Sequence, residues 1–76
     1  SNGVVLCITG KLNDFKNRAD ATKYLESLGY TVKTSVTKAV NYLICEDETK
    51  IGSSSYKKAQ SLGIEVLTIK ILLENK

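Results

Sequence analysis

The sequence predicts one small α/β domain built around a sheet that is covered on both faces. Residues 4–9, Val-Val-Leu-Cys-Ile-Thr, form a short apolar run rich in β-branched side chains, which is typical of a strand buried on both sides. Strand patterns alternate with helix patterns along the chain in the order β-α-β-β-α-β-α, and crossover helices imply parallel pairing. A chain of 76 residues has room for a single core.

The first helix is predicted over residues 18–28, after a polar loop. Asn17 is a suitable N-cap, and Asp20 favours the positive end of the helix. Gly29 follows the last turn, where a residue in the left-handed conformation is favoured. An apolar stripe along the helix is formed by Ala21, Leu25 and Leu28.

Two further strands are predicted over residues 31–36 and 41–45, and only about four residues connect them. That connection is too short for a parallel crossover between neighbouring strands. The two strands therefore form either an antiparallel hairpin or a parallel pair that is not adjacent in the sheet. The pattern alone does not distinguish these arrangements.

The rest of the chain predicts an acidic solvated loop over residues 46–50, a second helix, a fourth strand over residues 64–67 and a third helix. Ser53, Ser54 and Ser55 offer N-caps for the second helix, which ends at Gly63, and Thr68 caps the third. The expected core side chains are Leu6, Ile8, Leu25, Leu28, Val32, Leu43, Ala59, Leu62 and Val66.

Composition excludes several classes of function. The chain has two cysteines and no histidine, so a Cys/His zinc site and a Cys–His or Ser–His catalytic pair are ruled out. Gly10-Lys11 lacks the other residues of a P-loop, since Val5 and Leu12 stand where Gly and Ser or Thr are needed. We expect no cofactor, no metal and no membrane span, and we expect both cysteines to be free thiols in a reducing, intracellular compartment.

The chain contains a set of short segments whose order and spacing are informative: Ile8-Thr9-Gly10, Arg18, Leu28-Gly29, Ser35-Val36-Thr37-Lys38, Asn41-Tyr42-Leu43-Ile44, Gly52-Ser53-Ser54, Lys58-Ala59 and Leu62-Gly63. Together they resemble the BRCT domain, a module of replication and repair proteins that recognises phosphates and DNA ends. The likeness is strongest to the BRCT domains of NAD-dependent DNA ligases and of the replication factor C large subunit. It implies a four-stranded parallel sheet in the order 2-1-3-4, with two helices on one face and one on the other.

The resemblance also implies a phosphate pocket. Thr9 and Gly10 would supply a hydroxyl and a backbone N–H, and Arg18 a bidentate clamp. The family's phosphate-binding lysine falls on Ser55, which brings a hydroxyl but no charge. The loss of that charge should weaken the pocket by about 1–2 kcal/mol, and Lys11, Lys57 or Lys58 would restore part of it.

We expect residues 1–3 to be linker or vector-derived residues and residues 4–75 to form the single BRCT domain, cut from a larger protein. The leading hypothesis is a non-catalytic module that binds DNA backbone or a 5′-phosphorylated end. The alternative is a protein-interaction module for a phosphopeptide, a partner subunit or another domain of the parent protein. A small α/β enzyme is disfavoured, because no catalytic constellation is visible.

Overall fold

The computed structural model describes residues 3–74, which contain four parallel strands and three α-helices. The strands are β1 (Val5–Thr9), β2 (Thr31–Lys33), β3 (Tyr42–Cys45) and β4 (Glu65–Leu67). The helices are α1 (Arg18–Ser27), α2 (Ser54–Ser61) and α3 (Ile69–Glu74), and a 3₁₀ turn (Glu48–Lys50) follows β3. The predicted α/β class is confirmed.

The sheet has the order β2-β1-β3-β4, and every pair is parallel. This order resolves the choice that the short β2–β3 connection left open. Both β2 and β3 pair with β1, so they are parallel but not neighbours. The connecting segment crosses the sheet to its opposite end, where the Asn41 N–H donates to the Val5 carbonyl at 2.7 Å.

The sheet separates two apolar clusters, because successive side chains of a strand point to opposite faces. One face packs against α1 and α3, and its buried residues are Leu6, Ile8, Ala21, Leu25, Tyr30, Ile44, Leu67, Ile69 and Leu72. The other face packs against α2, and its buried residues are Cys7, Val36, Val40, Leu43, Ala59 and Ile64. The three-layer arrangement implied by the resemblance is therefore present.

The predicted core is correct at its centre and less buried at its margins. Leu6, Ile8, Leu25, Leu43 and Ala59 are fully buried as expected. The other four expected core residues are only half-buried: Leu28, Val32, Leu62 and Val66. Two of them lie on the edge strands β2 and β4, and the other two are C-caps of α1 and α2. Such positions have packing partners on fewer sides.

Local predictions differ from the structure in two places. The strand predicted over residues 31–36 ends at Lys33, because its pairing with β1 stops at the Cys7–Lys33 register pair and no strand of the described residues 3–74 pairs with its other side. The segment predicted as a solvated acidic loop contains the 3₁₀ turn, and Asp47 caps it by accepting from the Thr49 N–H.

The expected caps are confirmed. The Asn17 side chain accepts from the Asp20 N–H, and Ser53 accepts from the Tyr56 N–H. The Thr68 hydroxyl accepts from the Ile71 N–H at 3.2 Å. The Asn17 cap bears on the site described below, because it fixes where α1 begins, next to the end of β1.

Both cysteines are free thiols, with Cys7 buried and Cys45 half-buried. Burial raises the pKa of the Cys7 thiol, and the positive charge of Arg18 lowers it in part. No helix within residues 3–74 is both long and apolar enough to cross a membrane. Of the predicted domain limits, residues 1, 2 and 75 lie outside the described range.

Candidate functional site

The carboxyl ends of β1 and β3 lie side by side and form the base of the candidate site. Thr9, the last residue of β1, is in register with Cys45, the last residue of β3. The segments that leave these two strands must therefore run close together. In open α/β sheets, this edge is where ligands bind.

A cleft of about 440 Å³, here called the Thr9 cleft, opens at this edge. Four of the six predicted site residues line it: Thr9, Gly10, Lys11 and Arg18. The segment after β3 supplies the rest of its lining: Asp47, Thr49 and Lys50. The structure thus brings the end of β1, the start of α1 and the 3₁₀ turn around one opening.

Gly10 lets the two segments approach each other closely. Its φ of +75° lies in the left-handed region, which a residue without Cβ adopts at little cost. A Cβ at this position would lie 2.7 Å from Asp47 Cβ and 2.7 Å from Lys50 Cγ. The glycine is therefore needed both for the turn after β1 and for the packing of the 3₁₀ turn against it.

The Asp47 carboxylate forms hydrogen bonds to both segments that line this cleft. Its Oδ2 accepts from the Lys11 N–H at 3.1 Å, and its Oδ1 accepts from the Thr49 hydroxyl at 2.6 Å and the Thr49 N–H at 3.0 Å. The Thr49 hydroxyl contributes most to holding the pKa of the Asp47 carboxyl below its usual range, and the Lys11 N–H adds to the effect. The carboxylate is thus ionised at neutral pH and occupies one of the backbone donors that follow β1.

The Thr9 cleft remains electropositive despite that carboxylate. Lys11, Arg18 and Lys50 bring three positive charges against the single negative charge of Asp47. Thr9 is 8% exposed, and no hydrogen bond of its hydroxyl occurs within residues 3–74. A small anion at this edge would meet an available hydroxyl and a surplus of positive charge.

Ser55 and Lys57, the other two predicted site residues, lie on α2 and do not line the Thr9 cleft. Ser55 is half-buried in the first turn, and Lys57 is exposed. Lys50, at the end of the 3₁₀ turn, lines this cleft and adds a positive charge to it. Thr9 and Lys50 therefore line one cleft, which Ser55 and Lys57 do not line.

Glu46 has a structural role that the prediction of a solvated loop missed. Its Oε1 accepts from the Asn13 N–H at 3.1 Å, and its Oε2 accepts from the Ile69 N–H at 2.9 Å. One side chain thus links the loop after β1 to the first residue of α3. Glu46 itself does not line the Thr9 cleft.

The sequence carried a signal for Asp47 and Thr49 that was not used. Asp is favoured at the start of an Asx turn or a helix N-cap, where its side chain accepts from the backbone N–H two or three residues later. The sheet order implied by the resemblance places β3 beside β1, so the cap could have been placed next to Gly10. Lys50 has no comparable signal, because an exposed lysine is ordinary in any loop.

The described residues contain no group of three or more side chains suited to holding a metal ion. The chemistry available in the Thr9 cleft is thus that of hydroxyl, guanidinium, ammonium and carboxylate groups. Such a set suits reversible recognition of an oxyanion.

Comparison with known proteins identifies relatives among bacterial DNA ligases. The chain is 44% identical over 66 residues to DNA ligases of Treponema denticola and Lachnoclostridium phytofermentans, which is 87% of this chain and 10% of each ligase. It is 43% identical over 61 residues to the DNA ligase of Lactobacillus acidophilus, which is 80% of this chain and 8% of that protein. The chain spans about a tenth of the length of these relatives.

The BRCA1 C Terminus (BRCT) domain family matches residues 2–74, which is nearly the whole chain. The parallel sheet in the order β2-β1-β3-β4 and the distribution of the helices over its two faces agree with the fold implied by the sequence resemblance. On the match and the fold together, this chain belongs to the BRCT family and is related to the BRCT domains of DNA ligases.

Proposed function

We propose that this domain is a non-catalytic module of a DNA ligase and that it binds the DNA backbone at a 5′-phosphorylated end. The observation that carries the proposal is the Thr9 cleft, where a hydroxyl and three cationic side chains meet at the ligand-binding edge of the sheet. The similarity to DNA ligases makes a DNA phosphate the natural anion.

Each side chain of the cleft has a distinct part in holding a terminal phosphate. The Thr9 hydroxyl donates a hydrogen bond, and the planar guanidinium of Arg18 offers two parallel donors that match two phosphate oxygens. Lys11 and Lys50 add charge from either side. Arg18 is also the first residue of α1, so the positive end of that helix lies beside the same opening.

Asp47 sets the strength of this site. Its carboxylate lines the same cleft and holds the Lys11 N–H, so it repels an incoming phosphate and competes for one donor. Binding should therefore be weak, and suited to a module that works while the rest of a larger protein is also engaged on the DNA. Asp47→Asn should tighten binding, because it removes the negative charge, although its single amide oxygen can replace only one of the two accepting carboxylate oxygens.

Recognition should depend on backbone charge rather than on base sequence. The cleft presents no row of side chains of the kind that reads base edges in a groove. With about three phosphate contacts, the slope of log K against log salt should be no steeper than about −3. Contacts to the backbone that do not depend on base sequence would suit a module of a DNA ligase.

Fluorescence anisotropy on duplexes with and without a 5′ phosphate tests the proposal. We expect tighter binding to the phosphorylated end, and we expect Thr9→Val and Arg18→Gln to remove that preference. Equal affinity for both ends would refute the phosphate pocket while leaving general backbone binding in place. Lys38→Gln is the matched control, because Lys38 lies in the β2–β3 connection near the opposite edge of the sheet.

A second pair of variants identifies which cation opposes Thr9. If Lys50 supplies the charge, Lys50→Gln should weaken binding to the phosphorylated end about two- to fivefold, and Lys57→Gln should have little effect. The reverse result would favour the arrangement that the sequence predicted, with the phosphate at the start of α2. Ser55→Lys should then tighten binding by roughly tenfold.

The competing candidate is a protein-interaction module, and one feature of the surface favours it. Phe15 and Tyr24 pack with their ring centroids 5.5 Å apart, and they line a groove of about 320 Å³ that also includes Leu73 of α3. Tyr24 is 41% exposed. A domain that binds neither DNA end, but binds another part of its parent protein or a phosphopeptide, would support this candidate.

We also propose that the parent protein is an NAD-dependent DNA ligase that acts in replication and repair inside the cell. The support is the sequence resemblance to that class together with the DNA ligases found by comparison. Formation of a ligase–adenylate from labelled NAD by the full-length protein would test it. Use of ATP alone would refute it.

A further inference from the structure

The Thr9 cleft contains a carboxylate beside its cationic side chains. Asp47 is the only acidic side chain among the described residues that line the cleft, together with Lys11, Arg18 and Lys50. An ionised carboxylate repels a phosphate, unless that phosphate carries a proton which it can donate in a hydrogen bond. The position of the Asp47 oxygens therefore bears on which phosphates the cleft accepts.

The Asp47 Oδ2 atom lies next to two residues of the cleft lining and has one acceptor position open. It accepts from the Lys11 N–H at 3.1 Å, and it would lie 3.0 Å from a Cβ added to Gly10. An ionised carboxylate offers about four acceptor positions on its two oxygens. Within residues 3–74, Oδ1 uses two of them on Thr49 and Oδ2 uses one on Lys11. The remaining position, on Oδ2, is left for a donor in the cleft.

Among the phosphates of a DNA strand, only a terminal one can supply that donor. A phosphate monoester has a second pKa of about 6, so below that pH it carries one P–O–H group and one negative charge. An internucleotide phosphodiester also carries one negative charge, but it has no proton to donate. Asp47 itself stays ionised, because its hydrogen bonds to Thr49 and Lys11 hold the pKa of its carboxyl below the usual range.

We propose that Asp47 selects the singly protonated terminal phosphate, whose P–O–H donates to Asp47 Oδ2 while the Thr9 hydroxyl and the Arg18 guanidinium donate to its other oxygens. This proposal rests on the proposed function and names the residue that makes the cleft specific for an end. Cationic side chains alone attract every phosphate of the backbone. A carboxylate in the cleft disfavours the internal phosphodiesters, because none of them can donate a hydrogen bond to it.

The composition of the chain makes the pH dependence of binding easy to assign. There is no histidine, the side chain that ordinarily changes its charge between pH 5 and pH 8. The titratable groups around Asp47 are the cations of the cleft, the acids next to it in sequence and one thiol: Lys11, Arg18, Lys50, Glu46, Glu48 and Cys45. A duplex end whose phosphate cannot titrate reports any change in the protein itself.

The test compares two duplex ends that carry nearly the same charge at pH 5. One bears a 5′ phosphate, and the other bears the methyl ester of that phosphate, which is a monoanion without a P–O–H group. Fluorescence anisotropy with the 76-residue chain should show about three- to tenfold tighter binding to the free phosphate at pH 5. At pH 8 the free phosphate is a dianion and cannot donate, so this preference should fall.

Asp47→Asn removes the proposed acceptor, and it should abolish the preference for the free phosphate at pH 5. On the methyl ester end it should tighten binding at both pH values, because only a repelling charge is lost there. Glu48→Gln is the matched control, since it makes the same chemical change at an exposed position of the same 3₁₀ turn outside the cleft lining. It should leave the preference unchanged, and thermal unfolding of both variants at pH 5 confirms that the fold is retained.

The outcomes separate this proposal from the proposed function. If the wild-type chain binds both phosphate-bearing ends equally at pH 5, but more tightly than a 5′-hydroxyl end, the role of Asp47 is refuted and the phosphate pocket stands. A preference for the free phosphate that survives in Asp47→Asn would also refute Asp47 as the acceptor. If no phosphate-bearing end is preferred over the hydroxyl end at either pH, both proposals are refuted.

Discussion

Gly10 is constrained twice, by its backbone conformation and by the side chains that lie against it. An alanine would cost about 1–2 kcal/mol for the left-handed conformation and about 1–3 kcal/mol more for crowding Asp47 and Lys50. Gly63→Ala is the matched control, because its φ is +73° and nothing lies within 4 Å of an added Cβ. Urea denaturation should show a clearly larger loss for Gly10→Ala; equal losses would mean that the 3₁₀ turn moves away freely.

A second prediction for a single residue concerns the pKa of the Asp47 carboxyl. Removing the Thr49 hydroxyl in Thr49→Val should raise the pKa of the Asp47 carboxyl toward its ordinary value, because that hydroxyl is the main cause of its depression. NMR titration of the Asp47 carboxyl carbon measures this directly, with Thr31→Val as the control at an exposed position on β2. An unchanged pKa would show that the backbone donors suffice.

The consequence for stability follows from the direction of that shift. The folded pKa lies below the unfolded value, so ionised Asp47 stabilises the fold at any pH above the unfolded pKa of about 3.9. That contribution is lost as the pH falls through the folded pKa. Thr49→Val should therefore make unfolding less sensitive to pH below about 4, where the wild-type chain is losing this contribution.

Among the elements of the fold, α3 begins at a backbone N–H that a distant side chain accepts from. It has six residues, and its first N–H is satisfied by Glu46, 23 positions earlier in the sequence. Ile69 is 6% exposed, so loss of that acceptor in Glu46→Ala should cost about 1–3 kcal/mol. Faster hydrogen exchange at the Ile69 amide would place the effect at the start of α3.

Two further variants separate the hydrogen bond from the charge. Glu46→Gln keeps one oxygen acceptor and should cost less than Glu46→Ala. Glu48→Ala removes a nearby carboxylate that is exposed, and its effect should stay within about 0.5 kcal/mol. A loss from Glu48→Ala as large as that from Glu46→Ala would point to general electrostatics in this loop instead.

At the scale of the whole molecule, stability depends on the apolar cluster between the sheet and α1. Leu25 is 0% exposed in the middle of that cluster, and Leu25→Ala should cost about 2–5 kcal/mol, a large share of what a small domain has. Leu28→Ala makes the same chemical change at the half-buried C-cap of α1 and should cost less. Comparable losses in chemical denaturation would show that burial does not distinguish the two positions.

The candidate site was predictable in part, and the residues explain why. Thr9, Gly10, Lys11 and Arg18 are close in sequence, and they end one strand and begin the following helix, so a β-α unit suffices to bring them together. Ser55 was predicted from the family pattern across a gap of more than thirty residues, and Lys57 as a lysine close to it. Neither lines the Thr9 cleft, whose lining includes Asp47, Thr49 and Lys50. Its composition depends on how the segment after β3 turns.

The sequence by itself determined the α/β class, the order of the elements, the helix caps and the buried centre of the core. Each of these follows from local periodicity, capping chemistry or hydrophobicity, which act over a few residues. The resemblance to the BRCT family, rather than any local pattern, implied that β2 and β3 lie on opposite sides of β1. Only the tertiary structure decided that Glu46 holds the start of α3 and that Asp47, Thr49 and Lys50 line the Thr9 cleft. Those features depend on contacts between residues distant in sequence, and their energies are set by register and close approach, which no local pattern encodes.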